Sequence, residues 1–185
     1  MKKGHLINRA GKKRYSRRQD SENVIRYILR RRKNEERADE LVAWGAFGIP
    51  EQGDMGAIME SYDLVQRAYS RKGKFGRRID HEIYELSQDE VRSMERYGIS
   101  KDKAAREMAR NIYEEGYQVV YAVHTKGDDS NRLHIHFAVN TVNYSTGRKR
   151  QENKKKTAER ERAFQDIVES MWQLEERNGI KTQRI

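Results

Sequence analysis

The sequence contains no cysteine and a single proline among its 185 residues. The absence of cysteine excludes disulfides, iron–sulfur clusters, Cys-type zinc sites and thiol catalysis. Long hydrophobic runs are also missing, since no apolar stretch approaches the ~18 residues of a membrane span. We therefore expect a cytoplasmic protein of a reducing compartment that has no membrane partner.

Charge is abundant and unevenly distributed, with 37% charged residues, 35% hydrophobic residues and a net charge of +10. Residues 1–33 hold thirteen Lys or Arg against two acidic residues, and residues 148–162 hold eight against three. Clusters of this kind are typical of proteins that bind polyanions such as nucleic acids. Solvated charged tails are the other interpretation of each segment.

The length fits one domain, and we expect a basic arm over residues 1–20, irregular or extended, followed by a domain over residues 21–185. The patterns predict an α/β fold (an α+β sandwich) with a central, mainly antiparallel sheet flanked by helices. The four glycines and the proline of residues 43–60 indicate a loop. The predicted helices are 22–33, 58–70, 88–96, 100–116 and 155–178, and the predicted strands are 77–86, 117–125 and 132–143.

Three of the five histidines fall in the last two predicted strands. Side chains alternate along a strand, so His134 and His136 share a face. If the hairpin turns about Asp128 and Asp129, His124 lies opposite His134 and all three imidazoles converge. A register slip of one residue would move His124 to the other face.

Three converging imidazoles with open positions opposite suit a divalent ion that also binds a substrate oxygen. We expect Mn²⁺ or Mg²⁺, with Zn²⁺, Ni²⁺ or Co²⁺ as alternatives. A zinc hydrolase is the neighbouring hypothesis, but the sequence contains no H-E-x-x-H helix. Histidines that merely share a polar strand face remain the non-functional interpretation.

The segment HTKGDDSNRLHIHFAVN, residues 124–140, resembles the third motif of conjugative relaxases, which are histidine–hydrophobic–histidine (HUH) endonucleases. The similarity is closest to the MobP type. NVIRYILR, residues 23–30, resembles the helix that carries the catalytic tyrosine in that type, which puts Tyr27 in the place of the nucleophile. FGRRIDHEIYELSQDE, residues 75–90, resembles the strand and helix between the two motifs, so the likeness spans about residues 20–150.

The resemblance implies a site- and strand-specific nickase that cuts one DNA strand at an origin of transfer. Tyr27 would attack the phosphate and form a 5′-phosphotyrosyl adduct, which initiates conjugative transfer or mobilisation of a plasmid or integrative conjugative element. The implied partners are single-stranded and hairpin or duplex DNA and the coupling protein of a type IV secretion channel. Because relaxases are longer, we expect the chain to be the N-terminal fragment of a larger protein.

The remaining candidate residues fall into three groups. The candidates for a base or for a partner of the metal-binding histidines are His81, Asp80, Glu82, Glu85 and Asn140. The candidates for stacking on bases are Tyr15, Trp44 and Phe47. The candidates for phosphate contacts are Lys12, Lys13, Arg14, Arg17, Arg18, Arg30, Arg31, Arg32, Lys33, Arg148, Lys149 and Arg150, the last three expected close to the metal site.

Two alternatives remain open at this point. A rolling-circle replication initiator of the same superfamily would have its tyrosine after the His-x-His motif, and the only later tyrosine is Tyr144. A non-catalytic basic DNA-binding accessory protein would need neither the tyrosine nor the metal.

Overall fold

The computed structural model describes residues 1–9, 15–31, 39–49, 54–70, 76–126 and 129–182. Within these residues the chain forms five strands and five helices. The strands are β1 (His5–Asn8), β2 (Asp39–Phe47), β3 (Ile79–Glu85), β4 (Val119–Lys126) and β5 (Asp129–Asn140). The helices are α1 (Arg18–Ile28), α2 (Met55–Tyr69), α3 (Gln88–Arg96), α4 (Lys101–Glu114) and α5 (Lys154–Thr182).

The strands form one antiparallel sheet in the order β1-β3-β5-β4-β2, which confirms the predicted fold class. On β5, the residues that alternate with the histidines point into a core built with α3, α4 and α5. Their apolar side chains, Leu133, Ile135, Phe137 and Val139, are almost fully buried there.

A second core lies on the histidine face of the sheet. Val24, Ile25 and Ile28 form the apolar stripe of α1, and Ile58 and Met59 of α2 join them. This packing fixes the rotation of α1, so Tyr27 is held against the same face of the sheet. The result is a three-layer sandwich in which α1 and α2 cover the face that carries the histidines.

Local signals account for most of the predicted elements. Ser87 and Glu90 form the expected capping box of α3, and Ser100 accepts a hydrogen bond from the backbone of Lys103 at the start of α4. Gly116 follows α4 with φ of 97°, in the left-handed region that favours glycine. Strands β3, β4 and β5 and helices α2 to α5 therefore lie close to their predicted positions.

Two predicted boundaries were wrong. The helix predicted over residues 22–33 begins at Arg18, with Arg17 as its N-cap, and ends at Ile28. It ends there because Arg30 adopts φ of 53°, which no α-helical residue has. In addition, the segment expected as an arm contains β1, which pairs with β3.

The predicted loop over residues 43–60 was also wrong, because the segment contains most of β2 and the start of α2. Gly45 lies inside β2, where a Cβ atom would come within 2.6 Å of the Tyr121 hydroxyl. The glycine is therefore needed because a side chain packs closely against the backbone, and it does not form a turn. Pro50 lies outside the described residues.

The predicted hairpin register is confirmed, since His124 lies opposite His134. The expectation that Asp129 lies in the turn was wrong, because Asp129 begins β5 and pairs with Lys126 after a register shift; residues 127 and 128 lie outside the described part of the chain. Among the described residues, no helix combines the length and the apolar composition that crossing a bilayer requires.

Candidate active site

The three imidazoles converge on one face of the sheet, as the register dictates. The ring centroids of His124 and His136 are 4.5 Å apart, those of His134 and His136 are 4.9 Å apart, and those of His124 and His134 are 5.4 Å apart. One nitrogen from each ring lies within 4.8 Å of the other two. His124 and His136 are buried, whereas His134 is partly exposed.

The contacts of His124 determine its tautomer. Its Nε2 lies 2.7 Å from the carbonyl oxygen of Ile28, and its Nδ1 lies 2.8 Å from a guanidinium nitrogen of Arg30. A carbonyl only accepts and a guanidinium only donates, so Nε2 carries the proton and Nδ1 the lone pair. His124 therefore ties the end of α1 to β4.

His136 is oriented by a second histidine. Its Nδ1 lies 2.9 Å from Nε2 of His81, and its Nε2 is buried with no hydrogen-bond partner among the described residues. Burial, reinforced by the neighbouring histidines and Arg30, holds the pKa of His136 well below its usual value. Burial, reinforced by Arg9 and His124, also lowers the pKa of His81 to about 4. Both rings are neutral near pH 7, which is the form that binds metals.

These residues fit a divalent metal ion. The Nε2 atom of His136 is a buried nitrogen that needs a partner, and a lone pair on it is available when Nδ1 donates to His81. A metal-binding histidine typically donates its other N–H to a neighbouring group in this way. The trio His124, His134 and His136 would supply three nitrogen ligands, with Nδ1 of His124 binding the ion in place of its present contact with Arg30.

Tyr27 lies beside this cluster, in the last turn of α1. Its ring centroid is 5.7 Å from that of His136 and 5.8 Å from that of His81, with both pairs packed edge to face. Tyr144 lies elsewhere, beyond the far end of β5, where its ring stacks on Tyr113 and its hydroxyl donates to the Tyr113 carbonyl oxygen. The structure thus brings Tyr27 to the histidines and keeps Tyr144 away from them.

Two of the candidates for a base, Asp80 and Glu82, lie on the face of the sheet that is opposite the histidines. They lie opposite Val139 and Phe137, which point away from the histidines. Both carboxylates are fully buried and form ion pairs with Arg150. The sequence showed that the faces of β3 alternate, and the pairing of β3 with β5 decides which face is which.

Glu85 and Asn140 share the histidine face but have other partners. Glu85 lies opposite His134, is half exposed and has a carboxylate oxygen 3.4 Å from Nε2 of His5. Asn140 is buried, accepts a hydrogen bond from Gln66 and donates one to Gln118. Among the candidates, His81 is the one whose contacts with both Tyr27 and His136 the structure shows. With a pKa of about 4 it is a weak base, so its geometry fits a partner of His136 better than a proton acceptor.

We expect His81→Leu to weaken Mn²⁺ binding roughly 10- to 100-fold, because it removes the group that orients a ligand. Isothermal titration calorimetry of the folded variant measures this change. His5→Leu, which alters an exposed histidine on β1, is the matched control and should leave the affinity unchanged. Equal affinities for the two variants would contradict the orienting role.

The predicted phosphate contacts are scattered. Arg30 lies beside the cluster, whereas Arg31 lies 5.3 Å above the ring of Trp44. Arg17 and Arg18 lie at the start of α1, where Arg18 pairs with Asp63 at 2.6 Å. Lys12, Lys13, Arg14, Arg32 and Lys33 lie outside the described residues.

The expectation that Arg148, Lys149 and Arg150 lie close to the metal site was wrong. Lys149 pairs with Val142, beyond the end of β5 that is remote from His134. Arg150 is buried and forms ion pairs inside the protein, so its side chain is not on a DNA-binding surface. Burial beside Arg77 and Arg78 lowers the pKa of Lys149 to about 8.

Of the stacking candidates, Trp44 lies on the histidine face of β2, opposite Ala122, and is partly exposed. Tyr15 packs against the core formed with α1 and α2. Phe47 is on the other face, where it stacks on Tyr113 with a centroid distance of 5.9 Å. Trp44 is therefore the stacking candidate on the edge strand beside the cluster.

A comparison with protein families agrees with the geometry. The family model described as "Relaxase: MobA/VirD2-like, nuclease domain" matches residues 27–172, a range that includes Tyr27 and all three clustered histidines. No curated protein matches the sequence.

Proposed function

Because the chain belongs to the relaxase family with a MobA/VirD2-like nuclease domain, we propose that it nicks one DNA strand at an origin of transfer through Tyr27. The family assignment makes the protein a DNA endonuclease of the relaxase type. The observation that supports the specific reaction is the edge-on packing of Tyr27 against His136, which brings a phenol beside three convergent imidazoles.

In the proposed reaction the phenol oxygen of Tyr27 attacks the phosphorus in line with the departing 3′ oxygen. A bond between the tyrosine oxygen and phosphorus forms, and the bond between phosphorus and the 3′ oxygen breaks. The phenol loses its proton, and the 3′ oxygen gains one to become a free hydroxyl. One phosphate ester replaces another, so the adduct retains the energy for religation.

The residues around Tyr27 have distinct roles in this reaction. His124, His134 and His136 would hold the divalent ion, which supplies a Lewis acid for the phosphate when bound. His81 would accept the Nδ1 proton of His136 and so leave Nε2 for the ion, and the apolar stripe of α1 holds Tyr27 at the cluster. Tyr27 itself is partly exposed.

We place this reaction at the start of conjugative transfer or mobilisation of a plasmid or integrative element. The partners in this proposal are single-stranded and hairpin or duplex DNA and a coupling protein of a secretion channel. The net charge of +10 and Arg30 beside the cluster support DNA binding that weakens with salt.

Capture of a covalent adduct tests the proposal. The protein is incubated with a pool of randomised single-stranded oligonucleotides and Mn²⁺, and adducts are separated on a denaturing gel and sequenced. Mass spectrometry then maps the modified residue. We expect a 5′-phosphate linked to Tyr27, and no adduct after chelation or in His134→Ala/His136→Ala.

Two other outcomes would overturn the proposal that Tyr27 nicks DNA. An adduct on Tyr144 would indicate a rolling-circle initiator. DNA binding without any adduct would indicate a non-catalytic accessory protein.

A further inference from the structure

Arg30 has an unusual backbone conformation. Among the described residues it is the one non-glycine residue with positive φ, at 53°. It follows the end of α1, where the backbone N–H of Arg31 donates to the carbonyl oxygen of Arg26. An L-residue with a side chain is disfavoured in this left-handed region, in which glycine is unstrained. Such strain often marks functional positions.

The unusual backbone directs the Arg30 side chain into the candidate active site. One guanidinium nitrogen lies 2.8 Å from Nδ1 of His124, and the guanidinium carbon lies 5.4 Å from the centroid of the Tyr27 ring. The charge is close enough to help lower the pKa of His136. A cation therefore stands between the proposed nucleophile and a proposed metal ligand.

Part of this arrangement is structural, because Nη1 of Arg30 also lies 3.5 Å from the Tyr27 carbonyl oxygen at the end of α1. The end of α1 is already attached to β4 through the hydrogen bond from Nε2 of His124 to the Ile28 carbonyl. A glycine at position 30 would adopt the same φ without strain. The side chain, rather than the turn, is what the position supplies.

We propose that the guanidinium of Arg30 binds a non-bridging oxygen of the scissile phosphate and neutralises the charge that develops there as Tyr27 attacks. This inference rests on the proposed function. A guanidinium has five N–H donors in a planar fork, so when Nδ1 of His124 serves as a metal ligand, the Arg30 donor that now contacts it can turn to a phosphate oxygen. Preorganised donors of this kind act on the charge that grows in the transition state.

The test uses an oligonucleotide recovered from the adduct capture and compares Arg30→Ala with Arg31→Ala. Arg31 is the matched control, since it is the next arginine and packs on Trp44 rather than on Tyr27. We expect Arg30→Ala to slow adduct formation roughly 100- to 1,000-fold, and Arg31→Ala to slow it by less than about 10-fold. Arg30→Lys should be intermediate.

A methylphosphonate at the scissile position makes the test specific, because it removes the negative charge that Arg30 would neutralise. Wild type slows on this substrate, and the difference between wild type and Arg30→Ala should shrink to less than about 10-fold. The proposal would be overturned if Arg30→Ala slowed adduct formation by the same factor on the phosphate and on the methylphosphonate substrate.

Two further measurements separate this role from a structural one. Arg30→Gly, which relieves the backbone strain, should melt at a higher temperature than Arg30→Ala and still form the adduct slowly. Mn²⁺ affinity in both variants should be equal to or tighter than wild type, because a nearby positive charge is removed. Loss of Mn²⁺ affinity in parallel with adduct formation would overturn the inference, as would adduct formation by Arg30→Ala at the rate of Arg31→Ala. If wild type forms no adduct, the proposed function fails, and this inference fails with it.

Discussion

Tyr27→Phe should remove the covalent protein–DNA adduct to below detection while the protein stays folded and still binds DNA. The substitution deletes one oxygen, and that oxygen is the atom that would bond to phosphorus. The ring packs edge-on against His81 and His136, and phenylalanine has the same ring. The histidine cluster should therefore keep its geometry, and with it the binding of a metal ion.

Three measurements on Tyr27→Phe check this expectation. A denaturing gel measures the adduct, calorimetry measures the Mn²⁺ affinity, and fluorescence anisotropy measures binding to a single-stranded oligonucleotide. Tyr144→Phe is the matched control, because Tyr144 stacks on Tyr113 away from the cluster. An adduct that persists in Tyr27→Phe and disappears in Tyr144→Phe would transfer the nucleophile to Tyr144.

The histidine trio could be predicted because its geometry depends on local rules. Strand alternation and a short connection set the position of His124 opposite His134, and both are readable from the sequence. The capping box at Ser87 is local in the same way. Elements whose cause lies within a few residues were therefore predicted close to their observed positions.

The errors arise where distant residues determine the structure. Gly45 favours a loop when only its sequence neighbours are considered, but in the structure it makes room for Tyr121, which β4 contributes from far along the chain. The position of Arg150 directly after Arg148 and Lys149 predicted a DNA contact. In the structure its partners are Asp80 and Glu82, which come from β3. A run of like charges carries no information about acidic residues seventy positions away.

The candidate site likewise combines features that local sequence predicts with features that depend on distant residues. Alternation along β3 separates His81 from Asp80 and Glu82, but only the pairing with β5 shows that His81 is the one beside His136. The left-handed conformation of Arg30 has no signature in the sequence, since such positions usually hold glycine. The resemblance supplied the proposed role of Tyr27, and the structure supplies the residues that surround it.

The buried ion pairs behind the sheet lead to the largest stability effect that we expect. Arg150 is 2% exposed, and both of its terminal nitrogens lie 3.2 Å from carboxylate oxygens of the fully buried Glu82. It also contacts Asp80 at 3.4 Å and Glu152 at 3.3 Å. Burial raises the pKa of Asp80 and of Glu152, which shows how unfavourable these charges would be without their arginines.

Arg150→Met should lower the free energy of unfolding by about 3–5 kcal/mol, because it leaves buried carboxylates with fewer positive partners. Arg160 still pairs with Glu82, so the loss is not complete. Urea denaturation measures the change. The control is Arg67→Met, which breaks an ion pair with Glu60 in which both side chains are more than half exposed, and it should change stability by less than about 1 kcal/mol.

Arg150→Met also distinguishes whether Arg150 forms an internal ion pair or contacts DNA. If Arg150 supports the fold, folded Arg150→Met should bind a single-stranded oligonucleotide with the same salt dependence as wild type, because no phosphate contact is lost. Unchanged stability together with a shallower salt dependence would instead place Arg150 on the DNA. Because Arg150 forms ion pairs with Glu82 and Asp80, we expect the salt dependence of DNA binding to stay unchanged in Arg150→Met. The phosphate contacts are then expected from other basic residues.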